Sequence, residues 1–211
     1  MEHLDGVDYR SVSDLISSNA EVTLNREFWF IATHRFDRST GDAWKSYVKF
    51  SGLSQLEAVV SLDSLLNPKV ILETIDDDWE YKVHKGPWTC FFRDLKYLLQ
   101  RLGPRVTKSN VLGVILEPAA DCAHLHPVPE NTSAFDFAGY DLVDGPGGMS
   151  ALANCSGFDE VLRPEEQNEL GLILSFARAK ELQGLLRKTY PEHPHAHCSL
   201  VAIWLLRQNL L

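Results

Sequence analysis

The sequence predicts an α+β fold, with about three helices packed on a largely antiparallel sheet, in a single domain spanning 1–211. Three observations carry this. Runs such as "REFWFIATHRF" (26–36), "NVLGVILEP" (110–118) and "AFDFAGYDLVD" (134–144) are rich in aromatic and β-branched residues or alternate in polarity, as strands do. "DRSTGD" (37–42) supplies turn residues for a hairpin between 26–36 and "AWKSYVKFSG" (43–52). Two further segments repeat apolar residues at helical spacing between recognisable start and stop signals.

The elements follow in order. "RSVSDLISS" (10–18) reads as a short helix, and 26–36 with 43–52 as the hairpin. "LEAVVSLDSLLNP" (56–68) is open: Val59 and Val60 suit a strand, whereas "DSLLNP" suits a helical turn stopped by Pro68. "DDDWEYKVH" (76–84) alternates Trp79, Tyr81 and Val83, which suits a strand near a sheet edge. Thr89 can then cap a helix carrying Phe91, Leu95, Leu98, Leu99 and Leu102 on one stripe, ended by Gly103 and Pro104. The continuous apolar character of 110–118 predicts a buried strand, and "AADCAHLHPVPENTS" (119–133) a loop. The alternation in 134–144 is broken at Gly139, which predicts a bulge there.

"GPGG" (145–148) must turn, and "MSALANCSGF" (149–158) reads as a brief strand and a turn at Gly157. "RPEEQNELG" (163–171) has Pro164 at a first helical position, acids in the first turn and Gly171 beyond the end. "SFARAKELQGLLRKTY" (175–190) places Phe176, Ala179, Leu182, Leu186 and Tyr190 on one helical stripe, closed by Pro191. The last apolar run, Val201 to Leu206, is read as a strand because Val201, Ile203 and Trp204 fall in a short run bounded by polar residues.

Bulk properties narrow the class. Hydrophobic residues make up 45% of the 211 and charged residues 23%, the balance of a folded soluble chain with enough core to need no staples. There is no apolar stretch of roughly 18 residues, so no membrane span is expected. The opening "MEHLDGVDYR" lacks the cationic and apolar regions of a signal peptide, and the expected location is cytoplasmic. Cys90, Cys122, Cys155 and Cys198 are widely spaced without a CxxC pair, and reduced, packed thiols are expected.

The net charge of −9 disfavours nucleic acid, which needs a basic face. Ten carboxylates lie between Asp121 and Glu169 against one base, Arg163, and such a zone can steer a basic partner. Trp79 beside Asp76, Asp77 and Asp78 adds an aromatic to an acid cluster, a usual hot-spot composition.

Histidines supply the other candidate chemistry. His193, His195 and His197 would share one side of an extended chain, and Cys122, His124 and His126 repeat the two-residue spacing. If the two clumps met, His124, His126, His195 and His197 would form a zinc-like set, although Cys198 has the wrong parity and no compact zinc pattern is complete. The plainer reading of the His193 to His197 stretch is a proline-shaped connector between the 175–190 helix and the last strand, with a pH-sensitive surface as a further alternative. Cys90, in the first turn of its helix with His84 upstream, is the nucleophile candidate, but no third residue orients the pair and a packed thiol is the plainer reading. "DGPGGMS" (144–150) lacks the spacing and lysine of a phosphate loop.

"FAGYDLVDGPGGMSALANCSGF" (137–158) followed by "YPEHPHAHCSLVAIW" (190–204) resembles segments of uncharacterised bacterial cytosolic proteins of the toxin-immunity type. The likeness covers roughly the C-terminal third and carries no catalytic residues. It implies a small, acidic α+β binding protein rather than an enzyme.

The first expectation is therefore a non-catalytic protein-binding module, an immunity-type inhibitor of a basic toxin or nuclease. Its contacts would be Asp76, Asp77, Asp78, Trp79, Asp141, Asp144, Asp159 and Glu160, with no cofactor. The alternatives are a zinc hydrolase built on His124, His126, His195 and His197, and a small-ligand-binding protein.

Overall fold

The computed structural model describes residues 28–63, 66, 91–128, 134–144, 149–153 and 161–207. In chain order its elements are β1 (Trp29–His34), β2 (Phe36–Asp37), α1 (Asp42–Ser51), β3 (Ala58–Val59), α2 (Leu95–Leu102), β4 (Ser109–Leu116), β5 (Phe135–Val143), α3 (Phe176–Thr189) and β6 (Ser199–Leu206). β1, β4, β6 and β5 form one sheet in that spatial order, every pair antiparallel, and β2 pairs with β3. The class is α+β, as the sequence predicts.

β6 lies between β4 and β5 because its side chains are apolar on both faces. One set, Leu200, Ala202 and Trp204, packs toward the helices with Ala32, Val111 and Leu142. Trp204 is fully buried, with Phe28 and Phe137 meeting it edge-on at ring-centroid distances of 5.0 and 5.2 Å. The helices bring Leu98 and Leu102 from α2 and Ala179, Leu182 and Leu186 from α3. The other face of the sheet, with Ile31, Leu112, Val114, Val201 and Ile203, is covered by Val60, Leu62, Phe91 and Leu172.

The expected bulge is present. The β5–β6 register shifts between Phe137 and Gly139, whose φ is 140°. One extra residue reverses the alternation that follows it. Phe135 and Phe137 face the helices before the bulge, and Tyr140 and Leu142 do so after it. Ala138, Asp141 and Val143 consequently point to the opposite face.

Three expectations are corrected. Residues 43–52 are not a strand but α1, since Trp44, Tyr47 and Val48 recur at helical spacing and Gly52 ends the helix in left-handed conformation. The aromatic content suggested a strand, but the spacing of three serves a small cluster with Phe36, Leu53 and Leu56. Phe91 is off the α2 stripe and packs on the far side of the sheet, while Asp94 caps α2 by accepting from the Tyr97 N–H at 3.1 Å. Residues 163–171 form only a 3-10 turn, Pro164–Glu166, because Asn168 Oδ1 accepts from both the Leu170 and Leu172 N–H groups and holds the chain in a loop. The expected elements at 10–18 and 76–84, the Thr89 cap, and the turns at 145–148 and Gly157 lie outside the described residues.

Among the described residues no helix is long and apolar enough to cross a membrane.

Candidate functional site

Two places gather polar chemistry, both on the sheet face opposite α2 and α3. The first is a buried acid cluster. The bulge aims Asp141 at the chain segment that crosses this face, and its carboxylate has no exposed surface. Ser61 Oγ donates to Oδ2 at 2.6 Å, Ser150 Oγ to Oδ1 at 2.6 Å, and the Leu142 N–H to Oδ1 at 2.8 Å. Asp63 closes the ring: its N–H donates to Ser61 Oγ at 3.0 Å, and its Oδ2 accepts from the Ser150 N–H at 3.1 Å. Burial pushes the Asp141 carboxyl above its ordinary range, against the pull of its three donors.

His195 belongs to the same neighbourhood. It sits in the 3-10 turn Pro194–His197, buried, with Nδ1 3.7 Å from Asp144 Oδ2. Burial lowers its pKa and neighbouring His193 adds to this, while Asp144 and Asp63 act in the opposite sense. A histidine whose folded pKa lies below the ordinary 6.5 gives stability that is complete above that value and is lost as pH falls through the folded pKa. Chemical denaturation is expected to show stability falling as the pH drops below the ordinary 6.5, with His195→Gln flattening that slope. An unchanged slope in the variant would reject the assignment.

The second place is an open recess of about 420 Å³ at the end of the sheet where β4 and β5 begin and β6 ends. Val60, Ala138, Leu170 and Leu205 give it apolar walls, and Asn110 lines it from β4. Four carboxylates stand around it, Asp37, Glu57, Asp136 and Glu169, against the guanidiniums of Arg35 and Arg207. Arg35 is paired to Asp37 at 2.7 Å and Arg207 to Asp136 at 2.5 Å. Glu57 and Glu169 are exposed and form no ion pair among the described residues. Their segments are zipped together, with the Glu57 and Ala58 N–H groups donating to the Glu169 carbonyl at 2.8 and 3.3 Å, so both carboxylates belong to one lip.

The residues singled out from the sequence fall differently. Asp141, expected on a contact surface, is wholly buried in the acid cluster, and Asp144 is largely covered, accepting from the Met149 N–H beside His195. Asp141 finds hydroxyl donors in Ser61 and Ser150 that a surface position would lack. Asp76, Asp77, Asp78, Trp79, Asp159 and Glu160 lie outside the described residues, as do His84, Cys90 and Cys155.

Among the described residues the two histidine clumps are not grouped as a zinc set. His193, His195 and His197 are not on one side of an extended chain, because the 3-10 turn buries His195 and leaves the other two exposed. His124 and His126 are exposed in their own loop, and no three His, Cys, Asp or Glu side chains among the described residues are grouped to hold a metal ion.

Cys122 and Cys198 are free and buried, their thiols raised by burial to about 11 and about 12, which suits packing rather than reactivity. Tyr140 ties Cys122 in place by accepting from its N–H at 3.2 Å and donating to Asp121 at 2.7 Å.

Sequence reasoning missed Ser61, Asp63, Ser150, Glu57 and Asn110. Only Asn110 carried a signal, as a polar residue opening an otherwise apolar run. The chain matches no protein-family model, and comparison with curated proteins and with solved structures finds no match.

Proposed function

We propose that this protein is a non-catalytic binder of a basic protein partner, of the kind that neutralises a cationic toxin or nuclease one to one. The observation that carries the reading is the recess, whose lip holds two exposed carboxylates, Glu57 and Glu169, with no ion pair among the described residues. The net charge of −9 adds a long-range field of the same sign.

The groups that could serve a reaction support the same reading from the other side. Asp141, Ser61 and Ser150 satisfy one another inside the fold, and the described thiols are buried with raised pKa values.

The test is binding between two purified proteins, the chain and its basic partner, followed by calorimetry. The expected result is one-to-one association that weakens at least about tenfold between about 50 mM and about 500 mM salt. Association indifferent to ionic strength, or only with acidic partners, would reject it.

A further inference from the structure

We propose that the recess is a socket for one lysine or arginine residue of the partner, whose side chain reaches the Glu57 and Glu169 lip while its main-chain carbonyl accepts from Asn110. This deepens the binding reading above and rests on it.

The first support is charge. Arg35 and Arg207 are each already held by a carboxylate, so the unneutralised charge at the mouth is that of Glu57 and Glu169. A cation brought there finds two carboxylates without an ion pair among the described residues, while the guanidiniums of Arg35 and Arg207 are already matched by Asp37 and Asp136.

The second support is independent of the first. Asn110 is 4% exposed, lines the recess, and its Nδ2 has no hydrogen-bond partner among the described residues. A buried amide donor left without a partner costs roughly 1–3 kcal/mol. Thr33, facing Asn110 across the β1–β4 pairing, is also buried, and its Oγ1 likewise lacks a partner among the described residues. In the proposed complex the Asn110 side chain turns toward the recess and its Nδ2 donates to the peptide carbonyl.

The third support is the wall between these two polar ends. Val60, Ala138, Leu170 and Leu205 are apolar, which suits the methylene stem of a basic side chain and not a compact hydrated ion. A recess of about 420 Å³ is within the range of specific ligand sites. A chain that presents a carbonyl, an aliphatic stem and a cation in that order is a basic residue in an extended peptide.

The experiment is a titration of the full chain, followed by amide NMR, with the capped tripeptides acetyl-Gly-Lys-Gly-amide and acetyl-Gly-Arg-Gly-amide. The same tripeptide with norleucine and the free cation butylammonium serve as comparisons. Saturable shifts of the Asn110 side-chain amide and of the Ala58 and Leu170 backbone amides are expected with the basic peptides. The norleucine peptide, which keeps the stem and loses the charge, should bind at least about tenfold more weakly. Glu57→Gln with Glu169→Gln should weaken the basic peptides by a similar factor, and because both side chains are exposed the fold should be retained, as the spectrum itself reports.

Equal binding of norleucine overturns the socket, as do shifts confined to other surfaces. If butylammonium alone shifts the Asn110 amide as strongly as the peptides, the site takes small amines and the peptide occupant is wrong. The socket and the binding reading fail separately. A basic partner that still binds the double glutamine variant at full strength overturns the socket alone. Partner association insensitive to salt overturns the binding reading, whatever the tripeptides do.

Discussion

Asp141→Ala is expected to lower the unfolding free energy by about 3 kcal/mol, the range seen when one member of a buried polar network is removed. The reason is what the change leaves behind. Ser61 and Ser150 each donate to this carboxylate at 2.6 Å in a region closed to water, and alanine strands both hydroxyls along with the space of a carboxyl group. Ser150 also accepts from the Leu152 and Ala153 N–H groups, so its displacement spreads into the backbone.

Asp141→Asn keeps the shape and leaves Oδ1 to accept from Ser150 and the Leu142 N–H, while the Ser61 hydroxyl can rotate to accept from the new amide, so it should cost much less. The pH dependence separates the two forms. Burial raises the folded pKa of Asp141 above the ordinary 3.8, so its carboxyl favours folding most below that value, and this contribution is lost as pH rises through the folded pKa. Relative to wild type, the asparagine variant should therefore fare better near neutral pH than in acid. Denaturant titrations at both pH values check this. An alanine variant as stable as wild type would remove the network from the account.

The second large effect is expected at Gly139. Its φ of 140° is a conformation that L side chains rarely adopt. A Cβ placed there would stand 2.8 Å from the Leu172 Cβ and 3.1 Å from the Ile173 carbonyl oxygen. Leu172 is fully buried, and Ile173 exchanges backbone hydrogen bonds with Tyr140 at 2.8 and 3.1 Å, so neither neighbour has room to yield. Gly139→Ala should cost roughly 2–4 kcal/mol from strain and overpacking together.

The consequence reaches further than the bulge. Phe137 and Tyr140 share the helix-facing side only because one residue is added between them, and the same addition turns Asp141 toward Ser61. Removing the bulge would present Asp141 to α3 and Tyr140 to the acid cluster. Gly184→Ala is the control. It lies inside α3, has nothing within 4 Å of its would-be Cβ, and should raise stability by about 0.5–1 kcal/mol. Thermal unfolding of the two variants side by side tests the contrast, and equal effects would reject it.

Much of the fold was legible because its signals are local. β4 and β6 are continuous apolar runs, the apolar stripes of α2 and α3 recur every three or four residues, and Gly139 interrupts an alternation in plain view. α1 was misread for a local reason as well: aromatic composition outweighed the spacing of Trp44, Tyr47 and Val48.

The candidate site was not legible, since an acid in a sequence defaults to solvent. Asp141 is buried only because Ser61, 80 residues away, crosses the sheet beneath it. The histidines show the same limit in reverse. Their two-residue spacing suggested ligands on an extended chain, whereas a 3-10 turn begun at Pro194 buries His195 and leaves His193 and His197 exposed, with the His193 and His195 rings 4.9 Å apart.

Taken by itself, the sequence determined the class, the bulge, the antiparallel character and the sign of the charge, because periodicity, capping and composition act within a few residues of one another. Tertiary structure alone decided which acids face water and where an open recess lies. The walls at Val60, Asn110, Ala138, Leu170 and Leu205 come from five separate segments, and burial is a property of what those segments cover rather than of any residue's own chemistry.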